Sequence, residues 1–163
     1  MIRKIVLWPD PVLAKVCDPV PVVDQTIRAL ADDMLETMYA APGRGLAASQ
    51  VGVALRLFVM DADWKTGEPN PVVMINPDII DRSDTTCTGP EGCLSIPGVT
   101  ADVERAAEVH MAWTDRNGLR QSQILTGFAA TCAQHEMDHL DGIVTFDRVT
   151  PETRKVLEAE YAP

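Results

Sequence analysis

Basic residues are scarce in this chain: 14 Lys and Arg stand against 24 Asp and Glu in 163 residues, a net charge of −10. A general nucleic-acid binder needs basic surface to displace counterions from phosphates, so that class is disfavoured. Long apolar runs are missing too. Met1-Ile2-Arg3-Lys4-Ile5-Val6-Leu7-Trp8 puts two bases ahead of a short apolar stretch, and Pro9-Asp10-Pro11 cuts it off before signal-peptide length. Nothing approaches the roughly 18 to 20 apolar residues that span a bilayer, so the expectation is a cytoplasmic protein with no membrane partner. The four cysteines (Cys17, Cys87, Cys93 and Cys132) form no C-x-x-C pair. Without an export signal they read as thiols rather than bridges. There is no internal repeat, low-complexity run or Gly/Ser linker, and one domain over residues 1–163 is the simplest account. What is present is ordinary for a globular chain: 46% apolar and 23% charged residues, enough to bury one sizeable core.

Apolar spacing gives the elements. Asp24 is a good N-cap, and Ile27, Leu30, Ala31, Met34, Leu35 and Met38 follow it at helical spacing up to Pro42-Gly43. Leu55 to Met60 and Val72 to Asn76 are bounded by turn formers and read as strands. Val109, Met111 and Trp113 alternate with His110, Ala112 and Thr114, the pattern of a half-buried strand. Asn117-Gly118 is a hairpin signal with a return strand over Leu119 to Leu125. A helix over Gly127 to Leu140, stopping at Gly142, and a short terminal helix over Pro151 to Glu160 complete an α+β expectation.

The sharpest chemical feature is His135-Glu136-Met137-Asp138-His139. On a helix, residues four apart share a face, so both imidazoles reach one metal ion. Glu136 lies beside them, where it can take a proton from water. A catalytic metal usually has three protein ligands, and spacing leaves the third open. A histidine six residues after His139 would serve, but Thr145 is there. Glu158 fits the distance of a protease ligand, in a chain with little left to build a peptide cleft. His110 reads as solvent-facing on its strand. Cys93, in Glu91-Gly92-Cys93-Leu94-Ser95, is the thiol candidate, although a free Cys is more often a small buried hydrophobe. Gly43-Arg44-Gly45-Leu46-Ala47-Ala48-Ser49-Gln50 lacks the G-K-[ST] ending of a phosphate loop. Its notable polar group is the Gln50 amide.

Taken together, these segments resemble the peptide deformylase family, whose motifs G-x-G-φ-A-A-x-Q (φ apolar), E-G-C-φ-S and Q-H-E-x-D-H appear in order at Gly43–Gln50, Glu91–Ser95 and Gln134–His139. The family's P-D-P-x-L appears as Pro9-Asp10-Pro11-Val12-Leu13, so the resemblance covers nearly the whole chain. It implies an α+β fold with antiparallel or mixed strands around a central metal-bearing helix. It implies metal ligands Cys93, His135 and His139, Glu136 as general acid/base, and the Gln50 amide with the Leu94 backbone N–H as oxyanion donors. The implied cofactor is one divalent ion, physiologically Fe(II), with Zn, Ni or Co able to occupy the site. The implied reaction removes the N-formyl group from the N-terminal methionine of nascent polypeptides and releases formate.

The resemblance also frames the departures. Arg44 stands where relatives usually carry a branched aliphatic residue near the methionine pocket. Thr131 stands where an apolar one is common, while Gly45, Phe128 and Cys132 complete the expected substrate surface. The terminal segment Pro151–Pro163 is short and slightly acidic, unlike the basic helix some relatives use to dock on ribosomes. Ribosome contact is therefore expected to be weak or transient. Two other readings remain: a zinc endopeptidase using Glu158, and a paralogue that binds N-terminal peptides with little or no turnover.

Overall fold

A computed structural model describes residues 1–161, and the last two residues of the expected domain, Ala162 and Pro163, lie outside the described residues. Helix α1 (Gln25–Ala40) starts where the Asp24 carboxylate accepts the Ile27 N–H at 3.0 Å, the expected cap. Of its apolar stripe, Ile27, Leu30, Ala31, Met34 and Met38 are buried and Leu35 is partly buried against them. Strand β1 (Gly45–Ala47) follows and runs into a single 3-10 turn, Ala48–Val51, which carries Gln50. Strands β2 (Leu57–Met60) and β3 (Val72–Arg82) come next, then β4 (Thr86–Cys93) and β5 (Ile96–Ala106). Finally come β6 (Glu108–Thr114), β7 (Arg120–Thr126), α2 (Gly127–Leu140) and α3 (Pro151–Tyr161).

The strands form an antiparallel five-stranded sheet, ordered β1-β2-β3-β6-β7, and a separate two-stranded hairpin, β4-β5. The large sheet lies between two helices. Leu57 and Val59 of β2 face α1, whereas Phe58 and Met60 face α2, so all four residues are buried. The inward face predicted for β6 holds, as Val109, Met111 and Trp113 pack with Ala130, Ala133, Met137 and Leu140 of α2, but Ala112 on the opposite face is buried as well. The hairpin builds a third cluster, in which Ile96, Val99 and Ala101 pack with Leu13, Phe146 and Leu157 of α3. Helix α2 is thus buried on nearly every side, and nine of its fourteen residues are inaccessible. That enclosure lets a polar helix carry chemistry away from bulk water.

Periodicity misses the β4-β5 hairpin and stops β3 at Asn76. Strand β4 reads Thr-Cys-Thr-Gly-Pro-Glu-Gly-Cys, with little apolar alternation, and as an edge strand it tolerates Pro90. In β3, Asn76 takes a positive φ of 47° and its side chain bonds both backbone groups of Val20 at 2.8 Å, but the strand continues through a register shift. All four cysteines are free. Among the described residues, no helix is long and apolar enough to cross a membrane.

Gly142 ends α2 at a φ of 75°, and a Cβ there would stand 2.6 Å from the Ala14 carbonyl oxygen. Gly142→Ala should destabilise by at least about 1–2 kcal/mol from the left-handed conformation alone. At roughly 2–4 °C per kcal/mol, thermal unfolding will read this as a fall in Tm. Gly89→Ala, where a Cβ meets nothing within 4 Å, should move stability by no more than about 0.5 kcal/mol.

Candidate active site

Three elements converge on one point. Helix α2 presents His135 and His139 one turn apart, with ring centroids 5.0 Å from each other. Strand β4 ends on Cys93, whose Sγ lies 3.4 Å from His139 Nε2. One ligand atom from each of Cys93, His135 and His139 falls within 4.8 Å of the others. The cluster leaves out His110, which lies on β6 opposite Ile124, and Glu158, which is held by Arg154 on α3 at 2.9 Å. Among the described residues, the cluster that could hold an ion takes in the Cys93 thiol beside the two imidazoles and not Glu158.

His135 is fixed from behind, whereas Nδ1 of His139 is buried without a partner. His135 Nδ1 contacts Glu91 Oε1 at 3.0 Å, which leaves Nε2 free for the cluster. Glu91 in turn receives both Nε and Nη2 of Arg105, at 2.9 and 2.8 Å, and Arg105 Nη1 reaches Asp138 at 2.6 Å. Arg148 clamps Asp138 from the other side with two further bonds of 2.9 and 2.6 Å. Burial would raise the Glu91 pKa, but its bonds from Arg105 and His135 outweigh that and hold it at about 2. Burial also opposes charge on Arg105, and the bond to Glu91 with the charges of Asp138 and Glu91 more than offsets it. Glu91 and Arg105 therefore stay ionised at neutral pH.

Burial lowers the His139 pKa well below its ordinary value, and the positive charges of His135 and Arg105 add to this. A neutral imidazole is the form that ligates a metal. Burial opposes a charge on His135 as well, yet the Cys93 and Glu91 contacts outweigh it and draw a positive charge to the ring. The same pull favours a cation beside it. Thiol and imidazole donors suit a borderline or soft divalent ion over Mg or Ca. Glu136 supplies a further sign of fit: its Oε1 is buried without a hydrogen-bond partner, and the residue lines this centre's cavity. Burial lifts the Glu136 carboxyl to about 7, within the range of an acid/base near neutrality.

The remaining predicted residues surround the same cavity, about 790 Å³ in volume. Gln50 is immobilised: its Oε1 accepts the Ala47 N–H at 3.0 Å, while Nε2 donates to Ser95 Oγ at 3.0 Å and approaches Cys93 Sγ at 3.6 Å. Leu94 follows Cys93 in the β4-β5 turn, and its side chain covers Gly43, where a Cβ would lie 2.7 Å from Leu94 Cδ1. At Gly45 a Cβ would come within 2.5 Å of Glu136 Oε2 and 2.8 Å of Cys132 Sγ, so glycine is the residue that fits. Arg44, Phe128, Thr131 and Cys132 line the cavity too. His139 sits directly behind it, 1% exposed.

Sequence reasoning missed the supporting network. Glu91 was visible only as a motif letter, and Asp138 as another. Arg105 had a signal that went unread: Val99, Ala101, Val103 and Arg105 alternate, and all four point inward. A base at the fourth inward position of a strand needs buried acids to meet it.

The chain matches the family model for polypeptide deformylase over residues 2–155. It is 51% identical over 154 residues to a peptide deformylase of Alkalilimnicola ehrlichii, covering 94% of this chain and 85% of that protein. It is 46% identical over 156 residues to one of Rhizobium meliloti, covering 96% and 90%. Its fold superposes on the crystal structure of a peptide deformylase from Legionella pneumophila with a TM-score of 0.93, at 38% identity over 99% of this chain and 94% of that one. A peptide deformylase from Ehrlichia chaffeensis in complex with actinonin gives 0.92, at 37% identity over 98% and 95%. With family, fold and converging site in agreement, the chain belongs to the polypeptide deformylases, metal-dependent hydrolases that remove the N-formyl group from nascent polypeptides.

Proposed function

We propose that residues 1–163 form one catalytic domain in which Cys93, His135 and His139 hold a single divalent ion and Glu136 moves the proton of deformylation. The observation that carries this is the convergence of those three ligand atoms within 4.8 Å, beside a buried carboxyl at about 7. Fe(II) is the physiological ion in this reading, with Zn, Ni or Co able to replace it. When bound, the ion polarises the formyl carbonyl and acidifies water, whose pKa at such sites falls from 15.7 toward about 7.

The residues of the chain do the rest. Glu136 Oε1, free of other partners, takes a proton from the attacking water. The Gln50 amide, aimed by its bonds to Ala47 and Ser95, donates to the oxyanion that develops on the formyl oxygen. The Leu94 N–H is the second donor. Glu136 then delivers its proton to the departing amine, which leaves a free N-terminus and formate. Gly45 lets β1 approach Glu136 closely enough to narrow this corner against larger acyl groups. Phe128, Thr131, Cys132 and Arg44 form the surface for the methionine and the residues after it.

The acidic chain, with α3 carrying Glu152, Glu158 and Glu160 against Arg154 and Lys155, favours a cytoplasmic enzyme that meets emerging chains by diffusion. Its ribosome contact is weak or transient, and no specific nucleic acid is bound.

Four outcomes test this reading. Glu136→Gln should lower formate release from formyl-Met peptides by about 10²–10⁴ while the anaerobically purified protein keeps one equivalent of metal. Cys93→Ala and His139→Ala should lose that metal; retention of full metal by Cys93→Ala would remove the thiol from the ligand set. Gln50→Ala should lower kcat by about 10²–10³, as loss of an oxyanion donor does elsewhere, with metal content unchanged. Co-sedimentation with ribosomes should disappear at physiological salt, where exposed charges are screened beyond about 8 Å.

A further inference from the structure

The catalytic cavity has a rim whose charge runs against that of the whole molecule. Its charged lining residues are Arg44, Lys65, Glu91 and Glu136, together with the ligand His135. The two carboxyls are buried, and Glu91 is spent on Arg105 and His135. Arg44 and Lys65 are the charges left for solvent or a ligand, and both are positive. Neither is paired with an acid among the described residues, whereas Arg105, Arg148 and Arg154 all are. Both are held in place by contacts that leave their charge unneutralised. The Arg44 guanidinium lies 4.4 Å from the centroid of the Phe128 ring, an arrangement that restricts the side chain and keeps its N–H edges open. Lys65 Nζ donates to the Pro42 carbonyl at 2.9 Å and lies 5.6 Å from the Trp64 ring centroid, while Trp64 Nε1 anchors to the Gly43 carbonyl at 3.0 Å. Two fixed cations therefore flank Gly43, on the β1 side of the cavity, in a chain of net charge −10.

We propose that Arg44 and Lys65 determine substrate preference, selecting formyl-methionyl peptides that carry Asp or Glu shortly after the methionine over those that carry Lys or Arg. The proposal rests on the deformylase reading of this cavity. A formyl-methionine seated at Glu136 must pass its following residues out through the rim, where an acidic side chain meets two unpaired cations and a basic one is repelled. Arg44, stacked on Phe128, gives this rim a fixed charge where an apolar side chain would give none. Because the rim is open to water, the effect is of ion-pair size and falls with salt.

The experiment compares kcat/KM, by formate release, for formyl-Met-Ala-Glu-Ala-amide, its Lys counterpart and its neutral Gln counterpart. It also includes a second series with the variable residue directly after methionine. The neutral peptide reports deformylation itself, so failure of that reading shows as no formate from any peptide. At low salt the wild-type protein should favour Glu over Lys by roughly two- to fivefold for each cation engaged, through KM rather than kcat. The ratio should shrink toward one as salt rises. Arg44→Glu should invert the preference and Lys65→Glu should reduce it, with the Gln peptide as internal reference in each variant. Equal turnover of the Glu and Lys peptides by the wild-type protein would overturn the proposal, and so would a Glu/Lys ratio unchanged in Arg44→Glu. If Arg44→Glu does not fold, the wild-type ratio and its salt dependence still decide.

Discussion

The Glu91–Arg105–Asp138 network is the constraint on which the site depends. Its members come from β4, β5 and α2, and each side chain is at most 10% exposed. Charges so far from water are tolerated only when every lone pair and proton is met, and removing one partner of such a set costs about 3–5 kcal/mol. Here Arg105 spends three nitrogens on two carboxylates, Arg148 closes the far side of Asp138, and His135 takes the remaining contact of Glu91. The network therefore sets the distance between the hairpin that brings Cys93 and the helix that brings the histidines. It also sets the ring orientation of His135.

Around that lock, apolar packing supplies the rigidity. The α2 helix has an unusually polar interior face for a buried helix: Gln134, Glu136, Asp138 and His139 are all inaccessible. Gln134 is accounted for by the Ala106 backbone, donating to its carbonyl and accepting its N–H at 2.9 and 3.2 Å. Asp138 is accounted for by the two arginines. Glu136 Oε1 is buried without a partner, as is Nδ1 of His139 on the same helix. Structure and chemistry divide the helix between them residue by residue.

Much of this was legible in advance, and the illegible part has a common cause. The α1 cap at Asp24, the inward face of β6, the extent of α2 and the stop at Gly142 follow from local propensity and periodicity, which act within a few residues. The pairing of His135 with His139 follows from helical spacing alone. Cys93 does not: as an isolated thiol it was a weak candidate, and it took the motif set to raise it. The β4-β5 hairpin hid because Gly89, Pro90 and Gly92 erase the alternation on which strand reading depends, and because its buried partners are α3 and the N-terminal segment, far away in sequence. Arg105 hid because burial of a charge is a property of its partners, one of them 33 residues away.

The same division explains why a metal centre of ordinary composition suits a formyl group. The ligands alone would serve many hydrolases. What is particular here is how closely the β1 backbone approaches the Glu136 carboxyl. Gly45 passes so close to Glu136 and Cys132 that even a methyl group at its α-carbon would collide with both. Gln50 is held on its other side by Ala47 and Ser95 and cannot retreat. In the mechanism proposed above, an acyl carbon bearing only hydrogen would approach between these groups, and a larger acyl chain would press on backbone and fixed side chains in a close-packed interior that yields little to an added methylene. The close approach of the β1 backbone to Glu136 is thus a packing property, built by the glycine of β1 and bounded by the fixed amide of Gln50.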